Sequence, residues 1–412
     1  MKKILIISLT PVASEPRVIR QAEYLISKGF EIIVGGLPGK DKINENWMFV
    51  DLSESYKTDS QNSACLWQWF SLQKITRAVI YRLYKYASFI PRFAKRRYWH
   101  DPIYKKIQNQ LEPHKAELII CHDYFTAPIA WNLGKKFGCN TMIDVHEHAI
   151  SQKKTDSFLQ NIKWFFIDRC YAHSIQKVYL PKMWKITTVC DSIAKDLQKI
   201  YKLKNDPITV RSIPFYSFQK LNHTNKNMIK ILYHGLIAPG RGLEDCIKAM
   251  SFLPINFVLT IQGSGNQLYL NSLIHLVRKT ELEGRVLFKD PVPFSEIVSK
   301  ANQFDIGIFI TKDIGLQKKY VLPNKLFEYV MAGLALCVSD LPEIAKVVKK
   351  YDLGVLASNN NPKVIAKTLE ELTPDKISYY KQQSLKTAKK LNWEVESKKL
   401  GFIVSYLKKN YI

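Results

Sequence analysis

Short apolar runs alternate with amphipathic stretches along almost the whole chain, and few folds accommodate that pattern. In the first half the runs are Ile4–Ser8, Glu31–Val34, Glu117–Cys121, Thr141–Val145 and Ile186–Cys190. Stretches with helical spacing, such as Val18–Lys28 and Ala127–Phe137, lie between them. A second series starts near Lys230, with runs at Ile231–His234, Phe257–Gln262, Val286–Lys289, Asp305–Ile310 and Leu334–Val338. Its intervening helical stretches are Leu243–Phe252, Leu268–Glu281, Phe294–Ala301 and Leu341–Lys350. Runs that are apolar throughout read as strands buried on both faces, and strands separated by helices pair in parallel. The two series are divided by Arg211–Asn227, which holds Pro214 and the polar run L-N-H-T-N-K-N. The expected architecture is therefore α/β: two Rossmann-like doubly wound domains facing across a cleft, residues 1–212 and 228–385. Ligands of such sheets bind at the carboxyl ends of the strands.

Composition narrows the partners. With 61 Lys+Arg against 36 Asp+Glu, the formal net charge is +25. Such a balance suits a phosphorylated substrate, an anionic membrane surface or a nucleic acid. No recognised nucleic-acid motif accompanies the charge, so no nucleic-acid partner is expected. The seven cysteines are odd in number and lack Cys-x-x-Cys spacing. They predict reduced core thiols in a cytoplasmic protein, with neither a disulfide framework nor a zinc site. The apolar run Ile4–Leu9 is too short for a signal peptide core, and no run of 18 apolar residues suggests a spanning helix.

One insertion, about residues 65–110, breaks the alternation. From Lys74 to Lys106 there are ten basic residues and one acidic residue, Asp101, interleaved with Tyr81, Tyr84, Tyr86, Phe89, Phe93, Tyr98, Trp99 and Tyr104. C-L-W-Q-W-F, residues 65–70, comes just before. A basic, aromatic-rich helical segment can lie in a membrane interface, and the expected location is the inner membrane face. The competing reading is a solvated helix whose rings pack on its own domain.

Candidate chemistry clusters at predicted strand ends. The stretch Y-V-L-P-N-K-L-F-E-Y-V-M-A-G, from Tyr320 to Gly333, reads as a helix with Pro323 in its first turn and Gly333 as its stop. A helix start exposes free N–H groups that suit an anion. Glu328 lies about one turn in, where it either accepts hydrogen bonds from ribose hydroxyls or complements the helix dipole. In Y-H-G-L-I-A-P-G-R-G, Gly235 lets the backbone approach a ligand, and Arg241 can fork onto phosphate oxygens. Gly263 and Gly265 follow another strand in Q-G-S-G-N. In the first half, one strand ends in His122-Asp123 and a second in His146-Glu147-His148. His146 and His148 lack a third ligand at metal spacing, so no metal is expected. Arg17, in E-P-R, either reaches substrate or makes a surface ion pair. Asp191 or Ser192 is expected to cap a helix.

Taken together, these motifs resemble family 4 of the retaining glycosyltransferases with the GT-B fold. That family carries two glutamates eight positions apart, then a small residue, Gly, an apolar strand and Ser-Asp. The second glutamate matches Glu328, while the first falls on Tyr320. A sub-group with P-N-K-L-F-E-Y, with H-D-x-x-x-x-P and with D-x-H-E is closer still. The resemblance implies transfer of a sugar, hexosyl or related, from a nucleoside diphosphate sugar with retention and without a metal or other cofactor. It implies that Glu328 holds the ribose, that Arg241 and Lys325 meet the diphosphate beside Pro323 and Asn324, and that Gly235, Gly263 and Gly265 line the donor. R-V-L-F-K-D-P-V-P-F matches the family's turn at the base, and Asp313 and Gly315 fall where the donor sugar belongs. By the same likeness His122 lines the sugar pocket and acts in catalysis with Glu328 and Arg241. Asp123, His146 and Glu147, with Arg17, line the cleft near donor or acceptor. The family's last helix, here within residues 386–412, returns to the first domain. The expected acceptor is a glycan or lipid-linked glycan of cell-surface synthesis. Two other readings stay open: a silent relative that binds a partner glycosyltransferase, suggested by Tyr320, and a sugar-nucleotide epimerase.

Overall fold

A computed structural model describes residues 1–39, 45–56, 79–151, 163–311 and 319–409. Much of the predicted insertion, including residues 65–78, and Asp313 and Gly315 lie outside the described residues. The chain divides into two compact units, one of Met1–Arg211 with Lys399–Ile412 and one of Ser212–Lys398.

The first unit is built on a seven-stranded sheet: β1 (Lys3–Pro11), β2 (Glu31–Leu37), β3 (Met48–Asp51), β4 (Leu118–His122), β5 (Asn140–Val145), β6 (Lys185–Thr188) and β7 (Ile208–Thr209). The order is β3-β2-β1-β4-β5-β6-β7, and neighbouring strands pair in parallel throughout. Ile6 pairs with Val34 on one side and with Ile120 on the other. All three are fully buried, as the apolar runs require. The chain crosses from one side of the sheet to the other between β1 and β4, which opens a crevice at their carboxyl ends. Around the sheet lie α1 (Pro16–Ser27), α2 (Pro91–His100), α3 (Pro102–Leu111), α4 (Ala127–Phe137), α5 (Cys170–Tyr179) and α6 (Asp191–Tyr201). Asp101 caps α3 by accepting from Ile103 N at 3.1 Å. At α6 the cap is displaced by one residue from the first expected position: Cys190 is the N-cap and Asp191 is already helical.

In the second unit the sheet has six strands: β8 (Ile229–His234), β9 (Phe257–Gln262), β10 (Val286–Lys289), β11 (Ile306–Phe309), β12 (Ala335–Ser339) and β13 (Gly354–Ala357). It is parallel in the order β10-β9-β8-β11-β12-β13, so its switch point lies between β8 and β11. Its principal helices are α7 (Leu243–Ala249), α8 (Gln267–Lys279), α9 (Asn324–Ala332), α10 (Pro342–Tyr351), α11 (Pro362–Glu370) and α12 (Pro374–Ala388). Ile231, Leu259, Ile308 and Cys337 from four adjacent strands share its core with Leu243, Ile247 and Ile365 from α7 and α11. Buried Lys381 of α12 ties the amino ends of β8 and β11 together. Its Nζ donates to Asp305 Oδ1 at 3.0 Å, while Asp305 Oδ2 accepts from Lys230 N at 2.9 Å.

The division near the C-terminus falls at Lys398/Lys399, later than residue 386. Residues before it stay with the second unit, where Trp393 N donates to Pro214 O and the Glu394 carboxylate accepts from Tyr216 N. The last helix, α13 (Gly401–Lys409), packs in the first unit, with Tyr406 4.4 Å and Phe402 5.6 Å from Trp184 between ring centroids. The described cysteines are free thiols. Among the described residues no helix is long and apolar enough to cross a membrane.

Candidate functional site

In the second unit three loops meet at the carboxyl edge of β8. Gly235 follows β8 with φ 110°, and a Cβ there would lie 3.4 Å from Lys325 Nζ. A Cβ on Gly263 would fall 1.8 Å from Gly235 O, and one on Gly265 2.1 Å from Ile237 O. The glycine pair therefore lets the loop after β9 lie directly on the loop after β8, an arrangement sealed by Ile237 N donating to Ser264 O at 2.8 Å. Farther along, Gly242 presses against Ile310 O beside half-buried Arg241.

Helix α9 begins one residue later than its sequence suggests. Pro323 is the N-cap, with ψ 150°, and Asn324 is the first helical residue. The extended ψ at Pro323 keeps that residue outside the first turn. From Lys325 to Ala332 every residue of α9 is buried, two ionisable groups included. Lys325 is 9% exposed, and its Nζ lies 3.8 Å from the centroid of the Tyr233 ring and 5.3 Å from that of Phe309. Among the described residues it has no ion pair and no hydrogen bond. Burial first, then the charge of Arg241, lowers its pKa to about 7, with Glu328 acting the other way.

Glu328 is itself 5% exposed, and its Oε2 lies 3.3 Å from His234 Nε2. Burial, then the Lys325 charge, lowers the His234 pKa to about 3, so its imidazole is neutral. Tyr329 completes the wall. Its hydroxyl accepts from His234 N at 3.2 Å and donates to Ile308 O at 3.2 Å. Two cations, a carboxylate and a neutral imidazole thus gather at one switch point. The cations suit an anion, and the carboxylate suits hydroxyl donors. Tyr320 sits half-buried just ahead of α9.

At the other switch point, in the first unit, Arg17 donates from Nε and Nη2 to the two oxygens of Asp144 at 2.6 and 2.7 Å, and from Nη1 to Val210 O at 2.6 Å. The sequence offered Arg17 to substrate or to a surface ion pair. The structure instead gives a buried pair, Arg17 being 4% and Asp144 0% exposed. Burial alone would raise the Asp144 pKa, but Arg17 and His146 hold it well below the usual carboxylate range. For His146, burial is outweighed by Asp123 and Asp144, and the pKa rises to about 9. Its neighbour His122 is driven the other way, to about 3, by burial and then by the His146 charge. The tautomers follow. Cationic His146 donates from Nε2 to His122 Nδ1 at 2.8 Å, and His122 donates from Nε2 to Gln21 Oε1 at 3.1 Å.

Both ring nitrogens of His122 are thus engaged within the unit, and the residue is 2% exposed. Asp123 is held at φ 61°, in the left-handed region, with Oδ1 accepting from His146 N at 3.1 Å. Strain of this kind persists only where surroundings fix it, and it gathers at functional sites. Glu147 is exposed, whereas His148 is buried on Ser151 Oγ at 2.6 Å. The trio His122, Asp144 and His146 has the spacing of a metal site. A metal, however, would have to take Asp144 from Arg17 and part the two imidazoles, so these residues do not fit one.

Sequence reasoning passed over Asp144, Gln21, His234 and Tyr329. A lone carboxylate in the strand T-M-I-D-V was a usable signal, since a buried charge demands a partner. Nothing in the spacing singled out Tyr329, which looks like one more apolar residue of α9.

Residues 216–391 match the family model described as glycosyl transferases group 1, and residues 15–212 match that of glycosyltransferase family 4. No curated protein sequence matches the chain. Among solved structures the chain is similar to a sucrose-phosphate synthase from Thermosynechococcus elongatus, with TM-score 0.72 and 13% identity over 100% of both chains. It is similar also to Anabaena HepE in complex with UDP and glucose, with TM-score 0.66 and 11% identity over 98% of this chain and 100% of that one. A variant of S. aureus TarM, in complex with fondaparinux, α-GlcNAc-glycerol and UDP, gives TM-score 0.68 at 9% identity over 98% and 100%. At these identities the likeness concerns the fold.

Proposed function

Because the chain belongs to the family 4 glycosyltransferases and has their GT-B fold, it is a glycosyltransferase, and we propose that it moves a sugar, hexosyl or related, from a nucleoside diphosphate sugar to an acceptor with retention. One observation carries this reading: Lys325, buried beneath Gly235 with no ion pair or hydrogen bond among the described residues, one helical turn from Glu328. A buried cation without a partner is costly unless a ligand supplies the anion. A diphosphate does so, and a ribose beside it brings hydroxyls to Glu328. Arg241 joins Lys325 in stabilising the departing diphosphate as the sugar gains oxocarbenium character. With two cations from the protein, the reading requires no metal. UDP bound to HepE and to the TarM variant supports a nucleotide donor of this class.

Thermal-shift titration tests it, with uridine, guanosine, cytidine and adenosine diphosphates and their sugars against wild type, Glu328→Ala and Arg241→Ala. A ligand of the native state raises the melting temperature as RT ln(1 + [L]/Kd). One nucleotide should stabilise wild type and lose its effect in both variants. No shift with any nucleotide at millimolar concentration would sink the donor site. The silent partner subunit, which Tyr320 in place of a glutamate favours, would then replace it.

The acceptor we infer is a glycan carried at an anionic membrane surface, which the enzyme visits from the cytoplasmic side. Val79, Ile80, Leu83, Tyr86, Phe89 and Ile90 are between 38% and 65% exposed. Tyr81 and Tyr84 lie within 6.0 Å of His100, ring to ring, so these two tyrosines turn inward while Tyr86 and the aliphatic side chains stay outside. Arg82, Lys85, Arg92, Lys95 and Arg96 stand among them, with no acidic residue from 79 to 100. Each cation near an anionic surface is worth roughly 1 kcal/mol. Vesicles containing phosphatidylglycerol should pull the protein down at low salt and release it at high salt. Equal pull-down by neutral vesicles, or none by either, removes this part of the reading.

A further inference from the structure

His234 stands out once the donor site is accounted for. Its Nε2 is buried, lies 3.3 Å from Glu328 Oε2, and makes no aligned hydrogen bond. Buried polar atoms are nearly always bonded, so one that is not calls for a reason. The ring cannot easily move away. It stands edge-on to Tyr329, with centroids 5.0 Å apart and planes at 86°. Tyr329 in turn is fixed by its two hydrogen bonds to the backbone of β8 and β11, and by Gly307, whose missing Cβ would lie 2.4 Å from the tyrosine ring. Glycine at 307 lets Tyr329 settle, Tyr329 seats His234, and His234 faces one oxygen of Glu328.

We propose that His234 is a positioning residue for donor recognition: its imidazole N–H, held at Glu328 Oε2, fixes the carboxylate so that the other oxygen meets the ribose hydroxyls. The proposal rests on the donor site assigned above. At 3.3 Å the two atoms are within reach of a hydrogen bond once the carboxylate turns slightly. Because the imidazole is neutral, it directs the carboxylate without adding a further positive charge beside Lys325.

The test compares affinities for a ribonucleoside diphosphate and its 2′-deoxy and 3′-deoxy forms, with UDP, GDP, CDP and ADP each tried on wild type. A hydrogen bond to a charged group is worth about tenfold or more in affinity, so wild type should discriminate by about that factor. His234→Asn, whose amide sits where Nδ1 sat, should lose most of the discrimination while binding the deoxy form as before. In His234→Gln the amide reaches the Nε2 position and should restore it. Glu328→Ala should discriminate no better than His234→Asn, and the double variant no worse than either. If His234→Asn weakens ribo and deoxy forms equally, or His234→Gln fails to recover discrimination, the positioning role is wrong and the donor site stands. If wild type binds none of the nucleotides, the donor site and the role of His234 fall together.

Discussion

Arg17 and Asp144 form a two-pronged ion pair, 2.6 and 2.7 Å long, under the carboxyl edge of the first unit's sheet. Arg17 comes from the first turn of α1 and Asp144 from β5, which are 127 residues apart in sequence. The pair fixes α1 against the crevice and, through Asp144, sets the proton balance of two histidines. Breaking a buried pair from one side leaves a stranded charge and costs about 3–5 kcal/mol. Arg17→Met should lower unfolding free energy by that order in urea titration. Arg17→Met with Asp144→Asn should recover part of it, since neither charge is then alone. Full additivity of the two changes would show that the pair is not coupled.

His146 gives the first unit a pH signature. Its folded pKa of about 9 exceeds the ordinary 6.5, so it contributes stability fully below 6.5, and that contribution is lost as the pH rises through 9. Asp144 acts at the opposite end: its contribution is present above 3.8 and lost only as the pH falls through its depressed folded value. Between pH 6.5 and 9 the loss at His146 lowers the melting temperature while Lys325 acts the other way above 7, so wild type should lose stability relative to His146→Gln across that window. A slope unchanged in the variant assigns the effect elsewhere.

Lys325 has the reverse linkage. Its folded pKa of about 7 lies below the ordinary 10.5, so without ligand it costs stability below 7, and the cost fades as the pH approaches 10.5. A bound diphosphate favours the charged form and takes up a proton. Nucleotide affinity should then weaken as the pH climbs through 7 and beyond, and calorimetry in buffers of different ionisation enthalpy should show proton uptake. Lys325→Met should bind more weakly and lose both effects. Chelating agents should leave activity intact if the two cations alone stabilise the departing diphosphate.

Gly307→Ala tests the seating of Tyr329 without touching the donor site. The added methyl would meet the tyrosine ring at 2.4 Å. Overpacking of this kind costs about 1–3 kcal/mol. The variant should melt lower, and its nucleotide discrimination should fall toward that of His234→Asn. Unchanged melting would mean that Tyr329 has room to shift.

Where the sequence was explicit, physics left little choice. Runs such as Ile4–Ser8 and Phe257–Gln262 are strands because only a doubly covered parallel sheet buries them. The edge strands β3, β7 and β13 escaped notice because they are short or only partly buried. Glu328, Lys325, Arg241 and the glycines were legible as a group through the family resemblance, to which a helix start and glycine-bearing loops added a local reason. Arg17 was read as reaching substrate or pairing at the surface, since its buried partner Asp144 lies 127 residues away in the sequence.

By itself, the sequence determined the two parallel sheets and the residue types that collect at their strand ends. Periodicity and turn chemistry are local, and they constrain strand and helix directly. Tertiary structure alone decided which charges are paired. Asp144 claims Arg17, His146 takes a proton that His122 refuses, and Lys325 faces the aromatic rings of Tyr233 and Phe309. Those outcomes depend on distance and desolvation between residues far apart in the chain, which spacing along one chain does not encode.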